Sequence, residues 1–128
     1  RGLEALAGFS GLAVMPAGNE SVLLPPLATS TPAFAVVGAA AISDGTEASY
    51  SNHGPGVSFH APGDAFILTE PGVIARQKGT SFAGASFAAV AALVAATKEI
   101  QDGSTRLSEI SSATAQASGP RIPSFSDL

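Results

Sequence analysis

Apolar residues in this chain fall into short continuous runs bounded by Gly and Pro, and such runs predict strands buried on both faces. Leu12 to Met15, between Gly11 and Pro16, is the first, and Ala35 to Ala41 is the second. Val57 to His60 is a third, stopped by Pro62-Gly63, and Phe66 to Leu68 is a fourth. The pattern then changes. From about Ser81 to Ile100 small and apolar residues run on without a breaker, which predicts one long helix.

The segments between these runs are rich in turn chemistry. Proline density from Ser21 to Pro32 forbids regular structure, so a long loop is expected there. Ser43-Asp44-Gly45-Thr46 and Pro71-Gly72 are turns. Asp102-Gly103-Ser104 breaks the long helix, and Ser104 or Thr105 is expected to cap a last short one over Leu107 to Ala117. Leu3 to Ala7 has the look of a helix end stopped by Gly8, and the tail from Gly119 to Leu128 is expected to be irregular. Continuous apolar strands mixed with helices indicate an α/β class with a mostly parallel sheet.

Composition narrows the partners. Charged residues are only 12% of the 128, about half the usual quarter, against 45% hydrophobic. A chain with so little charge is either deeply buried or covered on one face by another chain. Net charge is -4 with six Lys and Arg, and no basic stripe exists, so nucleic acid is not an expected partner. No cysteine is present, which excludes disulfides and thiolate metal sites. The charge-free run from Gly79 to Thr97 has about the length of a membrane span, but it is mostly Ala, Ser and Gly, and a buried helix is expected instead. No basic region followed by an apolar stretch opens the chain, so no signal peptide is expected.

The stretch Gly79-Thr80-Ser81-Phe82-Ala83-Gly84 carries the most chemistry. It delivers a serine to the first turn of a helix, where backbone N–H groups lack intrahelical partners and the dipole favours negative charge. A tetrahedral acyl intermediate carries such a charge, so the Ser81 N–H can serve as an oxyanion donor. Gly79 leaves room for a substrate backbone, while Ala83 and Gly84 let the helix sink against the strands. Ser81 as a plain helix cap is the competing reading. Asn19, in Ala17-Gly18-Asn19-Glu20 after the first strand, lies on the edge where open α/β sheets place their sites. Its amide can donate to developing charge, or it can be a turn residue bonding its own backbone.

Taken in order, these segments resemble the subtilisin family. The resemblance is carried by Ala17-Gly18-Asn19-Glu20, Val37-Gly38-Ala39, Ala48-Ser49-Tyr50-Ser51-Asn52-His53-Gly54-Pro55, Ala61-Pro62-Gly63 and Gly79-Thr80-Ser81-Phe82-Ala83, over roughly residues 1 to 117. It implies a three-layer peptidase domain of which this chain is the C-terminal part. It implies that Ser81 is the catalytic serine and Asn19 the side-chain oxyanion donor. Ala17, Gly18 and the loop around Pro32 would then wall the pocket for the substrate residue before the cut, with Gly79 and Thr80 also against the polypeptide substrate. Val22-Leu23-Leu24 leans that pocket toward apolar side chains. Extracellular location and calcium binding follow from the family's habit alone. Asp44, Glu47 and Asp64 are isolated carboxylates without the dense acidic spacing of a calcium loop, so no metal ligand is assigned.

The chain also departs from the family. Subtilisins place Asp, His and Ser in that order, and the first two motifs would precede the Asn19 strand. His53 and His60 match no catalytic His motif. Ala85 and Ser86 stand where the family has Pro and His after the serine. Without a base, serine is protonated at neutral pH and a poor nucleophile. The expectation is therefore a serine endopeptidase completed by an N-terminal piece of the same domain, this chain alone being inactive. The alternative is a catalytically inactive half that binds or regulates.

Overall fold

The computed structural model describes residues 9–27, 33–41 and 43–114. The expected helix end before Gly8, Pro32 and the irregular tail lie outside these residues.

Three strands form a parallel sheet in the order β1 (Ala13–Pro16), β2 (Phe34–Ala40), β3 (Phe59–Pro62). Val14 is level with Ala35, and Val37 with Phe59. β2 is the middle strand, and Ala35 to Ala40 are all buried, as an uncharged run between two neighbours must be. Among its described residues the connection from β2 to β3 carries no helix. It folds back over the ends of the strands, with a bridge from Ala40 to Glu47 and another from Leu23 to His53. β3 begins two residues later than the apolar run suggests and ends on Pro62, which pairs with Ala40. A proline is tolerated there because the strand closes at that residue.

Helix α1 (Thr80–Thr97) packs on all three strands. Its buried residues are Thr80, Ala83, Gly84, Phe87, Ala91 and Val94, the three- and four-residue spacing of one helical face. Phe87 is fully buried and its ring stacks, tilted, 4.8 Å from that of Phe59 on β3. A Cβ added to Gly84 would stand 3.5 Å from Pro16 Cγ, in ordinary van der Waals contact with β1. By length and its mean hydropathy of 1.6, α1 is apolar enough to cross a membrane; in this fold its stripe of small residues faces the sheet.

Two elements differ from expectation. Phe66 to Leu68 belongs to β4 (Asp64–Thr69), which pairs antiparallel with β5 (Val73–Lys78), a strand the sequence does not announce. The Arg76-Gln77-Lys78 end of β5 looks like loop, but its partner strand supplies compensation: Arg76 pairs with the Asp64 carboxylate. The outer face of this hairpin carries Phe66, Leu68 and Ile74, each more than 70% exposed. The last helix, α2 (Gly103–Thr114), begins four residues before Leu107, and its cap is Asp102, not Ser104 or Thr105. Asp102 Oδ2 accepts from the Thr105 N–H at 2.8 Å and from the hydroxyls of Ser104 and Thr105. A carboxylate both satisfies an orphan N–H and complements the helix dipole, which a hydroxyl cannot. Gly103 then fits because a Cβ would lie 2.5 Å from the Gly11 carbonyl.

Two outcomes follow. Phe87→Ala removes the ring around which α1 and β3 pack, and should lower stability by about 3–5 kcal/mol in a denaturant titration. The Asp102 carboxyl is held below its ordinary value of 3.8, first by the Ser104 hydroxyl and then by the Thr105 N–H. A depressed folded pKa gives stability that is fully present above pH 3.8 and is lost as pH falls through the folded value. The melting temperature of Asp102→Asn, which keeps a capping oxygen but no charge, should therefore lie below that of the parent at neutral pH. The two should converge in acid.

Candidate active site

The end of β1 and the start of α1 meet. Gly79 is the N-cap residue of α1 and supplies no side-chain cap. The cap comes from elsewhere: Asn19 Oδ1 accepts from the Thr80 N–H at 2.8 Å. In return the Thr80 hydroxyl, which is buried, accepts from the Gly18 N–H at 3.1 Å. Ser81 thus sits inside the first turn, two residues past the N-cap, and does not cap the helix. Asn19 does not close a turn on its own backbone; its carbonyl is committed to α1.

That arrangement distributes the first N–H groups of α1. Thr80 donates to Asn19, and Phe82 and Ala83 donate to the Gly79 carbonyl at 3.1 and 3.5 Å. The Ser81 N–H has no acceptor among the described residues, and the same holds for Asn19 Nδ2. Two donors are therefore left over at one helix N-terminus, where the dipole favours an anion. Ser81 and Asn19 are both exposed. Gly79 has an extended backbone that any residue adopts, but a Cβ on it would stand 3.6 Å from Asn19 Nδ2. Glycine leaves the space beside that amide open.

The loop after β1 is held from several sides. Ala17 is buried, and its N–H donates to Val37 O at 2.9 Å, extending the β1–β2 register into the loop. Gly18 has φ +103, and a Cβ on it would lie 2.4 Å from Asn52 Nδ2, so both backbone and packing require glycine. Ser21 takes φ +55, and its N–H donates to Tyr50 O. Asn52 is 4% exposed and bonds the loop through every part of its amide. The start of α1 is fixed as firmly: the Gly63 carbonyl accepts from the Gly79 N–H at 2.9 Å and from the Tyr50 hydroxyl at 3.2 Å. Burial, then the nearby Asp64 charge, pushes the Tyr50 hydroxyl pKa up.

Sequence reasoning names Ala17, Gly18, Asn19, Gly79, Thr80 and Ser81, and the fold brings all six together. Val22 and Leu23 lie exposed beyond them. It gives no role to Asn52, Tyr50 or Gly63, although all three stand in motifs quoted above. The available signal was an Asn inside a Ser-Asn-His-Gly turn between strands, where an amide can reach backbone groups of a neighbouring loop. The two histidines serve elsewhere. His60 Nε2 lies 2.9 Å from Glu47 Oε2, and its ring fills the space above Gly38. His53 bridges through its backbone to Val22 and Leu24. Asp44 accepts from the N–H and hydroxyl of Thr46, Glu47 meets His60, and Asp64 meets Arg76. Among the described residues no three His, Cys, Asp or Glu are grouped to hold a metal ion.

Known proteins resemble this chain in sequence and in fold. No protein-family model matches the chain. Subtilisin-like protease 1 of Arthroderma gypseum is 36% identical over 97 residues, covering 73% of this chain and 20% of that protein. Subtilisin-like protease 1 of Trichophyton verrucosum is 34% identical over 97 residues, with 73% and 24% covered. The chain thus spans a quarter or less of the length of these curated relatives. Among solved structures, the prenylagaramide maturation protease PagA superposes with a TM-score of 0.65 at 23% identity, over 91% of this chain and 43% of that one. The patellamide maturation protease PatG gives 0.59 at 26% identity, over 90% and 37%. MycP3, a protease from a type VII secretion system, gives 0.66 at 22%, over 91% and 42%. With more than 30% identity to curated relatives over 73% of its length, and a fold shared with solved proteases, the chain belongs to the subtilisin-like protease family.

Proposed function

We propose that this chain carries the nucleophile and oxyanion hole of a serine endopeptidase, and that an N-terminal part of the same domain supplies the His and Asp. The observation that carries the reading is the pair of unsatisfied donors, Ser81 N–H and Asn19 Nδ2, at the start of the helix that bears the Ser81 hydroxyl. The imidazole takes the Ser81 proton as Oγ attacks the peptide carbonyl carbon. The carbonyl oxygen becomes an anion and is held by the two donors. Collapse of the intermediate breaks the C–N bond, and the imidazolium protonates the leaving amine. Water, deprotonated by the same imidazole, then attacks the acyl-Ser81 ester, and the serine leaves with its proton restored.

The outer surface of α1 supports the second half of the proposal. Ser81 shares its exposed face with Ala85, Ala88, Ala89, Ala92, Leu93 and Ala96, at three- and four-residue steps. Not one is charged. An apolar face continuous with the serine is suited to burial against another helix or strand, and whatever covers it also reaches the hydroxyl that needs a base. β1, which among the described residues pairs only with β2, leaves its other edge open for a further strand of the same sheet. The hairpin's exposed Phe66, Leu68 and Ile74 add to the uncovered apolar area. A location outside the cell, as the resemblance implies, is part of this proposal.

A fluorophosphonate probe applied to the full-length protein should label Ser81, and Ser81→Ala should abolish the label. Folded full-length protein that takes no label would overturn the enzyme reading in favour of a catalytically silent binding half. Asn19→Ala should lower kcat by about 10²–10³, a magnitude established on a subtilisin asparagine and carried over here, with KM little changed on a peptide substrate.

A further inference from the structure

We propose that Asn52 is a positioning residue for the oxyanion donor: a buried amide around which the loop carrying Asn19 is wrapped. The inference rests on the reading of Asn19 as that donor.

Asn52 is 4% exposed and lies in the β2–β3 connection, far from Asn19 in sequence. Its side chain has two donor hydrogens and two acceptor lone pairs, and all four are used on one short segment. Nδ2 donates to Ala17 O at 2.9 Å and to Glu20 Oε2 at 2.8 Å. Oδ1 accepts from the N–H groups of Glu20 at 3.1 Å and Val22 at 3.0 Å. The Asn52 backbone N–H donates to Gly18 O at 2.9 Å. These bonds bracket Asn19 on both sides, at Ala17 and Gly18 before it and at Glu20 and Val22 after it. None of them touches Asn19 itself, whose own carbonyl caps α1.

This is a division of labour that only an asparagine performs. Aspartate keeps the two acceptor sites but loses both donors, and it would set a second carboxylate against Glu20. Glutamine has the right groups on a longer arm. Serine has a single donor hydrogen and cannot serve both Ala17 O and Glu20 Oε2. The loop it holds needs such a template, because Gly18 at φ +103 and Ser21 at φ +55 are conformations with little intrinsic preference. Glu20 and Val22 are exposed, so water can reach their N–H groups when Asn52 is altered, while the buried Ala17 carbonyl loses its donor and that end of the loop shifts. The loop then persists, but the amide of Asn19 is no longer fixed to a fraction of an ångström. A donor that must meet an oxygen present only in the transition state is sensitive to that loss.

The test is a double-mutant cycle on peptide hydrolysis by the full-length protein, with melting temperature followed for every variant. Asn52→Asp should lower kcat by about 10- to 100-fold and move KM less. In an Asn19→Ala background the same change should cost less than about threefold, because the group it positions is gone. Glu20→Gln added to Asn52→Asp should recover part of the kcat, since the new amide can donate to the new carboxylate. If Asn52→Asp alone does not fold, this double variant carries the cycle in its place. Losses that multiply fully with those of Asn19→Ala, or a folded Asn52→Asp enzyme with unchanged kcat, would overturn the proposal. An Asn19→Ala enzyme with normal kcat would overturn the oxyanion reading itself, and it is seen in a separate arm.

Discussion

The 2.8 Å hydrogen bond from the Thr80 N–H to Asn19 Oδ1 joins the loop after β1 to the first turn of α1 across 61 residues of sequence. Most of the site depends on it. A helix start needs an acceptor for its first N–H groups, and local sequence normally supplies one from the cap residue. Gly79 has no side chain to offer. The acceptor therefore comes from Asn19, and in giving its oxygen to Thr80 the amide is held at the start of α1 with its nitrogen left without an acceptor among the described residues. A single bond thus completes the helix and orients one donor of a pair.

The five motifs that mark the family are contacts of this junction more than they are separate functions. Val37 receives the Ala17 N–H, and the Ala39 N–H donates to Ser51 Oγ at 2.9 Å, which ties β2 to the segment that carries Asn52. Tyr50 and Gly79 share the Gly63 carbonyl. Gly63 itself admits no Cβ, since one would stand 2.4 Å from the Tyr50 hydroxyl and 2.5 Å from Ala39 Cβ. Small residues recur at these points because backbones must pass within hydrogen-bonding range of one another, and a methyl group is enough to prevent it.

The same packing explains the low charge of the chain. β2 and the inner face of α1 are buried within it, and the outer face of α1 is almost as apolar while lying in solvent. A surface helix of a self-sufficient domain carries charged residues on its outer face. From Thr80 to Thr97 this one has none. The helix is thus apolar on its buried and its exposed side alike, and the serine lies at the end of the exposed one.

The amino-acid sequence by itself determined the class of fold and where its main elements lie, because buried parallel strands and a small-residue helix leave continuous apolar runs that Gly and Pro punctuate. It also singled out Ser81 and Asn19, whose types and neighbours suit acyl chemistry. It did not contain β5, because the Asp64 that offsets Arg76 is on another strand. It did not contain the Asp102 cap, because Ser104 and Thr105 are cap formers too and only backbone geometry chose among the three. Nor did it show the work of Asn52. An amide's four hydrogen-bonding sites are the same in every asparagine; which carbonyl, carboxylate and N–H groups they meet depends on two distant loops being folded against each other. Tertiary structure alone decided that, since the geometry of a hydrogen bond is a property of positions in space and not of order along the chain.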